Sequence, residues 1–108
     1  MAVNINLNIY DESNNQLGRH QLFFGKALRG ASWQGWIWVE DQGFKIDSPW
    51  AYERGNDITS YKVTKPQLTK WIENGFLSLD ALGRDNSSSF LDDYPEDSIL
   101  KINFIDWS

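Results

Sequence analysis

The carboxylates near the C-terminus are the residues whose type and spacing are best suited to chemistry. Five acids and no base lie in residues 85–97, which we call the acidic segment: Asp85, Asp92, Asp93, Glu96 and Asp97. Residues 1–84 hold nine Lys+Arg and nine Asp+Glu, whereas residues 85–108 hold six acids and one lysine, so the net charge of −5 falls entirely in the second part. A surface of one sign attracts molecules of the other and speeds their encounter. The acidic segment therefore predicts a basic partner.

The acidic segment also contains aromatic residues, which suits a protein partner. In a basic groove its acids would stand in for the phosphates of a nucleic acid, and its aromatic rings would be buried anchors. The candidates for partner binding are Asp92, Asp93, Tyr94, Glu96 and Asp97, with Phe90 as a further aromatic anchor. The alternative is a solvated loop before the last strand, because runs of charge usually face water.

Catalysis is not indicated by any residue pattern. His20 is the only histidine and its strand offers no local acid or base partner, so a structural role is expected for it. The absence of cysteine excludes thiol nucleophiles, disulfides and thiolate metal sites. The nucleophile elbow, the P-loop, the dinucleotide fingerprint and the EF-hand spacing are also absent. The sequence predicts a protein that is not an enzyme and holds no metal or cofactor.

Direct binding of nucleic acid is disfavoured by charge. A net charge of −5 repels phosphate, and the chain has no run of Lys or Arg. Lys62, Lys65 and Lys70 are dispersed around the start of a predicted helix. We interpret these three lysines as ordinary solubilising charge.

Tryptophan is the second unusual residue type, with six in 108 residues. Trp33, Trp36 and Trp38 form a dense run, and Trp50 follows in a segment rich in Pro, Gly and Asx. Exposed rings would suit stacking on sugars or contact with a peptide. A carbohydrate- or peptide-binding module is therefore the alternative function, whereas buried rings would only be core.

The loop around Trp50 is a candidate secondary contact. Large aromatic residues in a loop are more informative than those in a core, because loops carry many binding residues. The loop would act together with the acidic segment if the fold brings the two together. Its candidate residues are Trp50, Tyr52, Glu53 and Asp57.

The elements that must position these residues begin with strands. In residues 3–9, apolar residues alternate strictly with asparagines, which predicts a strand with one buried face. Turn residues at 11–15 and a second arm at 17–24 predict a hairpin. The aromatic and β-branched residues 33–39, with residues 44–46 after a turn at Gly43, predict another hairpin.

The later part of the chain predicts one helix and two further strands. The helix begins at Thr64 with Pro66 in its first turn, buries Leu68, Trp71 and Ile72, and stops at residues 74–75. Residues 58–63 predict a strand, and residues 98–107 predict a strand that is apolar on both faces and is therefore central or covered on both sides. The expected fold is a single domain, residues 1–108, of class α+β. It has a mostly antiparallel sheet of five or six strands and one short amphipathic helix.

The N-terminus does not predict a targeting signal. Residues 1–9 have no basic region and no continuous apolar stretch, unlike a signal peptide. No apolar run reaches the length of about 18 residues that spans a bilayer. We expect a cytoplasmic protein.

In overall character, the chain resembles bacterial immunity proteins, which neutralise toxins in contact-dependent growth inhibition and related systems. The likeness rests on small size, absence of cysteine, an α+β body, many aromatic residues and a localised acidic surface. Phage inhibitors that mimic DNA spread acidic charge over the whole body, whereas here residues 1–84 are neutral. The resemblance implies a non-catalytic monomer that forms a heterodimer with a basic toxin, often a nuclease, and covers its active site.

Overall fold

The described chain forms a five-stranded antiparallel sheet with helices packed on one face. A computed structural model describes residues 2–28, 32–42 and 57–107. In chain order the elements are β1 (Ala2–Tyr10), β2 (Gln16–Phe24), a 3-10 helix (Lys26–Leu28), α1 (Ser32–Asp41), β3 (Asp57–Val63), α2 (Lys65–Glu73), β4 (Leu77–Ser78), a second 3-10 helix (Ser89–Asp93) and β5 (Ile99–Trp107). The α+β class and the antiparallel sheet are confirmed.

The sheet order is β3-β5-β1-β2-β4, so the last strand of the chain enters the middle of the sheet. β1 and β2 form a hairpin, and β5 pairs with β1 on one side and β3 on the other. The predicted central position of residues 98–107 is therefore confirmed.

Strand alternation separates the sheet into two faces of different character. Ile5 lies opposite Leu22 on β2 and Phe104 on β5, and all three are almost fully buried. We call their side, which the helices cover, the core face. The other side, which we call the open face, consists of exposed or half-buried residues. They are Asn4, Asn6, Asn8 and Tyr10 of β1, Arg19, Gln21 and Phe23 of β2, Ser60 and Lys62 of β3, and Ile99, Lys101, Asn103 and Ile105 of β5.

The helix predicted from Thr64 is confirmed. Thr64 caps α2, and its Oγ1 accepts a hydrogen bond from the Gln67 backbone N–H at 3.2 Å. Pro66 lies in the first turn, where its missing N–H costs nothing. Gly75 has φ +84°, a left-handed conformation that ends the helix and favours glycine. The buried residues of α2 are Leu68, Trp71 and Ile72.

The strand predicted at residues 33–39 is wrong, because this segment lies inside helix α1. Trp36 and Val39 are buried at a spacing of three residues, whereas Ile37 is 47% exposed. That is the burial period of a helix, not the alternation of a strand. Aromatic and β-branched residues favour strands only weakly, and packing against the sheet overrides the preference. The proposed second arm at residues 44–46 lies outside the described residues.

None of the described helices is long and apolar enough to cross a bilayer.

Candidate partner-binding surface

The acidic segment turns its apolar side chains inward and its carboxylates outward. It runs from the loop after β4 through the second 3-10 helix to the start of β5. Leu91 is 2% exposed and belongs to the core, and Phe90 and Tyr94 pack against it. The exposed acids of the segment are Asp85, Asp92, Asp93, Glu96 and Asp97. The segment thus presents its charge to solvent from a packed base.

Tyr94 holds the acidic segment to strand β2. Its hydroxyl lies 2.8 Å from Nε2 of His20, and the two rings meet edge to face at 5.8 Å. A Cβ added at Gly18 would overlap the Tyr94 hydroxyl oxygen. Only glycine leaves room for the ring at this point of the strand. The aromatic residue predicted as a partner anchor therefore also has a structural role.

His20 completes this contact from the core face of β2. Its ring packs on Phe90 with centroids 4.7 Å apart, in addition to the bond with Tyr94. The partner of the histidine comes from 74 residues further along the chain. Sequence inspection near His20 finds no such partner, although a glycine two residues earlier in a strand signals a close approach.

Lys65 fixes the acidic segment from the other side. Its Nζ donates a hydrogen bond to the backbone oxygen of Tyr94 at 2.6 Å and lies 3.6 Å from Oε1 of Glu96. The Lys65 side chain is 14% exposed, whereas that of Glu96 is 97% exposed. A carboxylate so exposed gains little from such an ion pair and keeps its charge available to a partner.

A hydrogen-bonded loop supports the start of the acidic segment. Oδ1 of Asp80 accepts bonds from the backbone N–H groups of Arg84 at 2.6 Å and Asp85 at 3.1 Å, and from Oγ of Ser78 at 2.8 Å. The backbone N–H of Asp85 is the main cause that lowers the pKa of Asp80. Asn86 donates to the Leu77 carbonyl at 3.1 Å. Sequence reasoning missed Asp80, although an acid before Ala-Leu-Gly is typical of a turn.

A groove of about 470 Å³ lies between the acidic segment and the start of α2. Glu96 and Asp97 line one side, and Lys62 and Lys65 line the other. Ser98 also lines it, and its Oγ is buried with no hydrogen-bond partner among the described residues. A buried polar atom without a partner costs free energy, because it has lost its hydrogen bonds to water.

The predicted secondary contact is only partly described. Trp50, Tyr52 and Glu53 lie outside the described residues. Asp57 begins β3, whereas the acidic segment meets the sheet where Val63 pairs with Leu100, at the other end of β3. Six steps along a strand span about 20 Å, so Asp57 does not lie beside the acidic segment.

The tryptophans with described side chains pack in or against the core. Trp36 is 8% exposed and Trp71 is 7% exposed. Trp38 is half-buried, meets Trp71 edge to face at 5.3 Å and stacks on Phe76 at 5.5 Å. Aromatic clusters of this kind stabilise a small core through their large contact area.

Metal binding has no support in the part of the chain that the structure describes. There, no three or more His, Asp and Glu residues come together in a group that could hold a metal ion.

Comparison with known proteins gives no match. The chain matches no protein-family model, no curated protein and no solved structure. Function must therefore be inferred from the chemistry and geometry of the acidic segment.

Proposed function

We propose that this chain is an inhibitor of the immunity-protein kind, which binds a basic toxin domain through the acidic segment and blocks it. The observation that carries the proposal is the exposure of four acids, Asp92, Asp93, Glu96 and Asp97, on a segment that is packed from beneath. Such a segment loses little conformational entropy when it binds, because its backbone is already held. The proposal includes no catalysis by the chain itself.

The groove beside the acidic segment supports this proposal. A basic side chain of the partner would place its N–H groups near the carboxylates of Glu96 and Asp97, which line the groove. Hydrogen bonds to charged groups are stronger than neutral ones, and those shielded from solvent dominate binding energies. The cationic cleft of a nuclease would supply such side chains in number. The inhibitor would act in the cytoplasm as a monomer that forms a heterodimer.

The experiment is capture of partners from bacteria that encode secreted toxins, followed by an activity assay of the captured protein. The bait is compared with a variant carrying Asp92→Asn, Asp93→Asn, Glu96→Gln and Asp97→Asn. We expect the bait to capture a basic domain with nuclease activity and to abolish that activity at equimolar ratio. The interaction should weaken at about 0.5 M salt, which screens charges beyond a few Å.

A matched control separates the acidic segment from total charge. Asp41 lies at the end of α1 and is exposed. The variant Asp41→Asn removes one charge outside the segment and should capture the same domain. Asp92→Asn and Asp93→Asn each remove one charge of the segment, and each should weaken binding several-fold. Equal binding by all three variants would contradict the proposed site.

A second candidate function is a carbohydrate- or peptide-binding module. A groove of about 620 Å³ between α1 and α2 favours it, because Trp38, Trp71 and Phe76 line the groove together with Gln42 and Asn74. Aromatic rings beside amides suit sugars and extended peptides. Titration with oligosaccharides, followed by tryptophan fluorescence in the natural chain and in Trp38→Ala, tests this candidate. Unchanged fluorescence across a broad set of glycans and of extended peptides would remove it.

A further inference from the structure

The open face of the sheet has the opposite sign to the acidic segment. Arg19, Lys62 and Lys101 lie on it, and none of its described residues is acidic. Asn8 of β1 lies opposite both Arg19 and Lys101, so the three cations fall on one row across four neighbouring strands. This row exists only in the folded sheet, because its members are far apart in sequence.

Two of these cations oppose each other directly. Lys62 of β3 pairs in register with Lys101 of β5, and both are exposed. Side chains opposite each other in an antiparallel pair have Cβ atoms about 5 Å apart, and like charges at this position are destabilising. Among the described residues, no carboxylate lies within 4.0 Å of either ammonium group. We call Lys62 and Lys101 the lysine pair, and neither makes an ion pair with a described residue.

The surroundings of the lysine pair add a donor. Two residues along the strands, Oγ of Ser60 donates to Oδ1 of Asn103 at 2.6 Å. This bond occupies the amide oxygen of Asn103 and leaves its nitrogen as a donor. A cavity of about 130 Å³ is lined by Ser60, Tyr61 and the lysine pair. That volume holds several waters or one small polyatomic ion, since a water occupies about 30 Å³.

The position of Lys101 is also favourable for a ligand. Its Nζ lies 5.3 Å from the ring centroid of Tyr10, which holds the ammonium over the open face. Tyr10 supplies attraction to the ammonium without neutralising it. The lysine pair therefore keeps its two positive charges, which an anionic ligand would neutralise.

We propose that the lysine pair binds a tetrahedral dianion, the phosphate or sulfate group of a small ligand. Two ammonium groups carry a charge of two, which a dianion balances and a single carboxylate does not. The oxygens of a tetrahedral group can also accept from both lysines at once, and Asn103 lies two residues from Lys101 on the same face. This proposal does not rest on the inhibitor proposal, although Lys62 also lines the groove beside the acidic segment.

The test is a titration of the free, isotopically labelled protein, followed by its backbone amide spectrum. The probes are inorganic phosphate, sulfate and acetate at about pH 8, where phosphate carries close to two charges. Ionic strength is kept constant with chloride so that general screening does not change. We expect saturable shifts with phosphate or sulfate, centred on residues 60–62 and 101–103. Saturation by sulfate alone would assign a sulfated ligand, and saturation by phosphate a phosphate ester.

Variants of equal charge locate the site. Lys62→Gln and Lys101→Gln should each weaken binding about tenfold or more, because each removes a charged donor. Lys70→Gln on α2 makes the same change at an exposed lysine that does not line the cavity, and should leave binding intact. The free spectra show directly whether each variant is folded.

Three outcomes would overturn the proposal. They are the absence of saturation by both phosphate and sulfate, equal saturation by acetate, and unchanged affinity in both lysine-pair variants.

Discussion

The acidic segment and the open face carry opposite charges, and the fold builds them in opposite ways. The acids of the acidic segment are close together in sequence, and the fold adds a packed base through Leu91 and Tyr94. The cations of the open face come from separate strands and meet only through sheet register. Core packing fixes the position of the acidic segment, whereas the backbone pairing of the strands brings the cations of the open face together.

This difference explains why a net charge is a poor guide to local chemistry. The total of −5 describes the acidic segment and conceals a row of cations on the same small body. Lys62 lies at the boundary, since it lines both the groove beside Glu96 and the cavity of the lysine pair. Two ligands of opposite charge could therefore bind to neighbouring parts of the surface.

The comparison predicts that the acidic segment depends on core packing. Leu91→Ala should lower the free energy of unfolding by about 3 kcal/mol, because it removes a core side chain and leaves a cavity. Leu82→Ala is the matched control, since Leu82 is 65% exposed and should change stability by less than about 0.5 kcal/mol. Urea denaturation measures both variants. Similar losses in the two would contradict the packed base of the segment.

A smaller effect is expected from the single bond between the segment and β2. Tyr94→Phe keeps the ring and removes the hydroxyl that meets His20, which should cost about 1 kcal/mol. Amides of the acidic segment should also exchange with solvent faster, because the segment opens more often. Tyr10→Phe on the open face is the control, as no hydrogen bond joins its hydroxyl to another described residue. An equally stable Tyr94→Phe would show that packing alone holds the segment.

Much of the fold could be predicted from local patterns. Strict alternation in β1 correctly indicated its buried face, and the cap, proline and glycine of α2 correctly indicated its bounds. The prediction failed at residues 33–39, where side chains suited to a strand form a helix. Composition does not distinguish the two there, because the deciding contacts are with the sheet and lie elsewhere in the chain.

The candidate sites divide in the same way. A cluster of acids is visible in the amino-acid sequence, so Asp92, Asp93, Glu96 and Asp97 could be selected from residue types and spacing alone. The partner of His20 and the lysine pair could not, because both depend on which strands and loops become neighbours. Long-range pairing is the information that local propensity lacks.

The smallest expected effect is a change in stability that has opposite signs for Lys62 on the open face and Lys65 beside the acidic segment. Lys62→Gln should raise the free energy of unfolding by about 0.3 kcal/mol, because it relieves repulsion from Lys101. The gain should shrink as salt is added, since salt screens exposed charges.

Lys65→Gln makes the same chemical change three residues further along the chain and should lower the free energy of unfolding instead, because Lys65 is mostly buried and donates to the Tyr94 carbonyl. Thermal unfolding at low and high salt measures whether each variant is more or less stable than the natural chain. A loss of stability in Lys62→Gln that shrinks as salt is added would mean that Lys62 already has a counter-charge, and the open face would no longer contrast with the acidic segment.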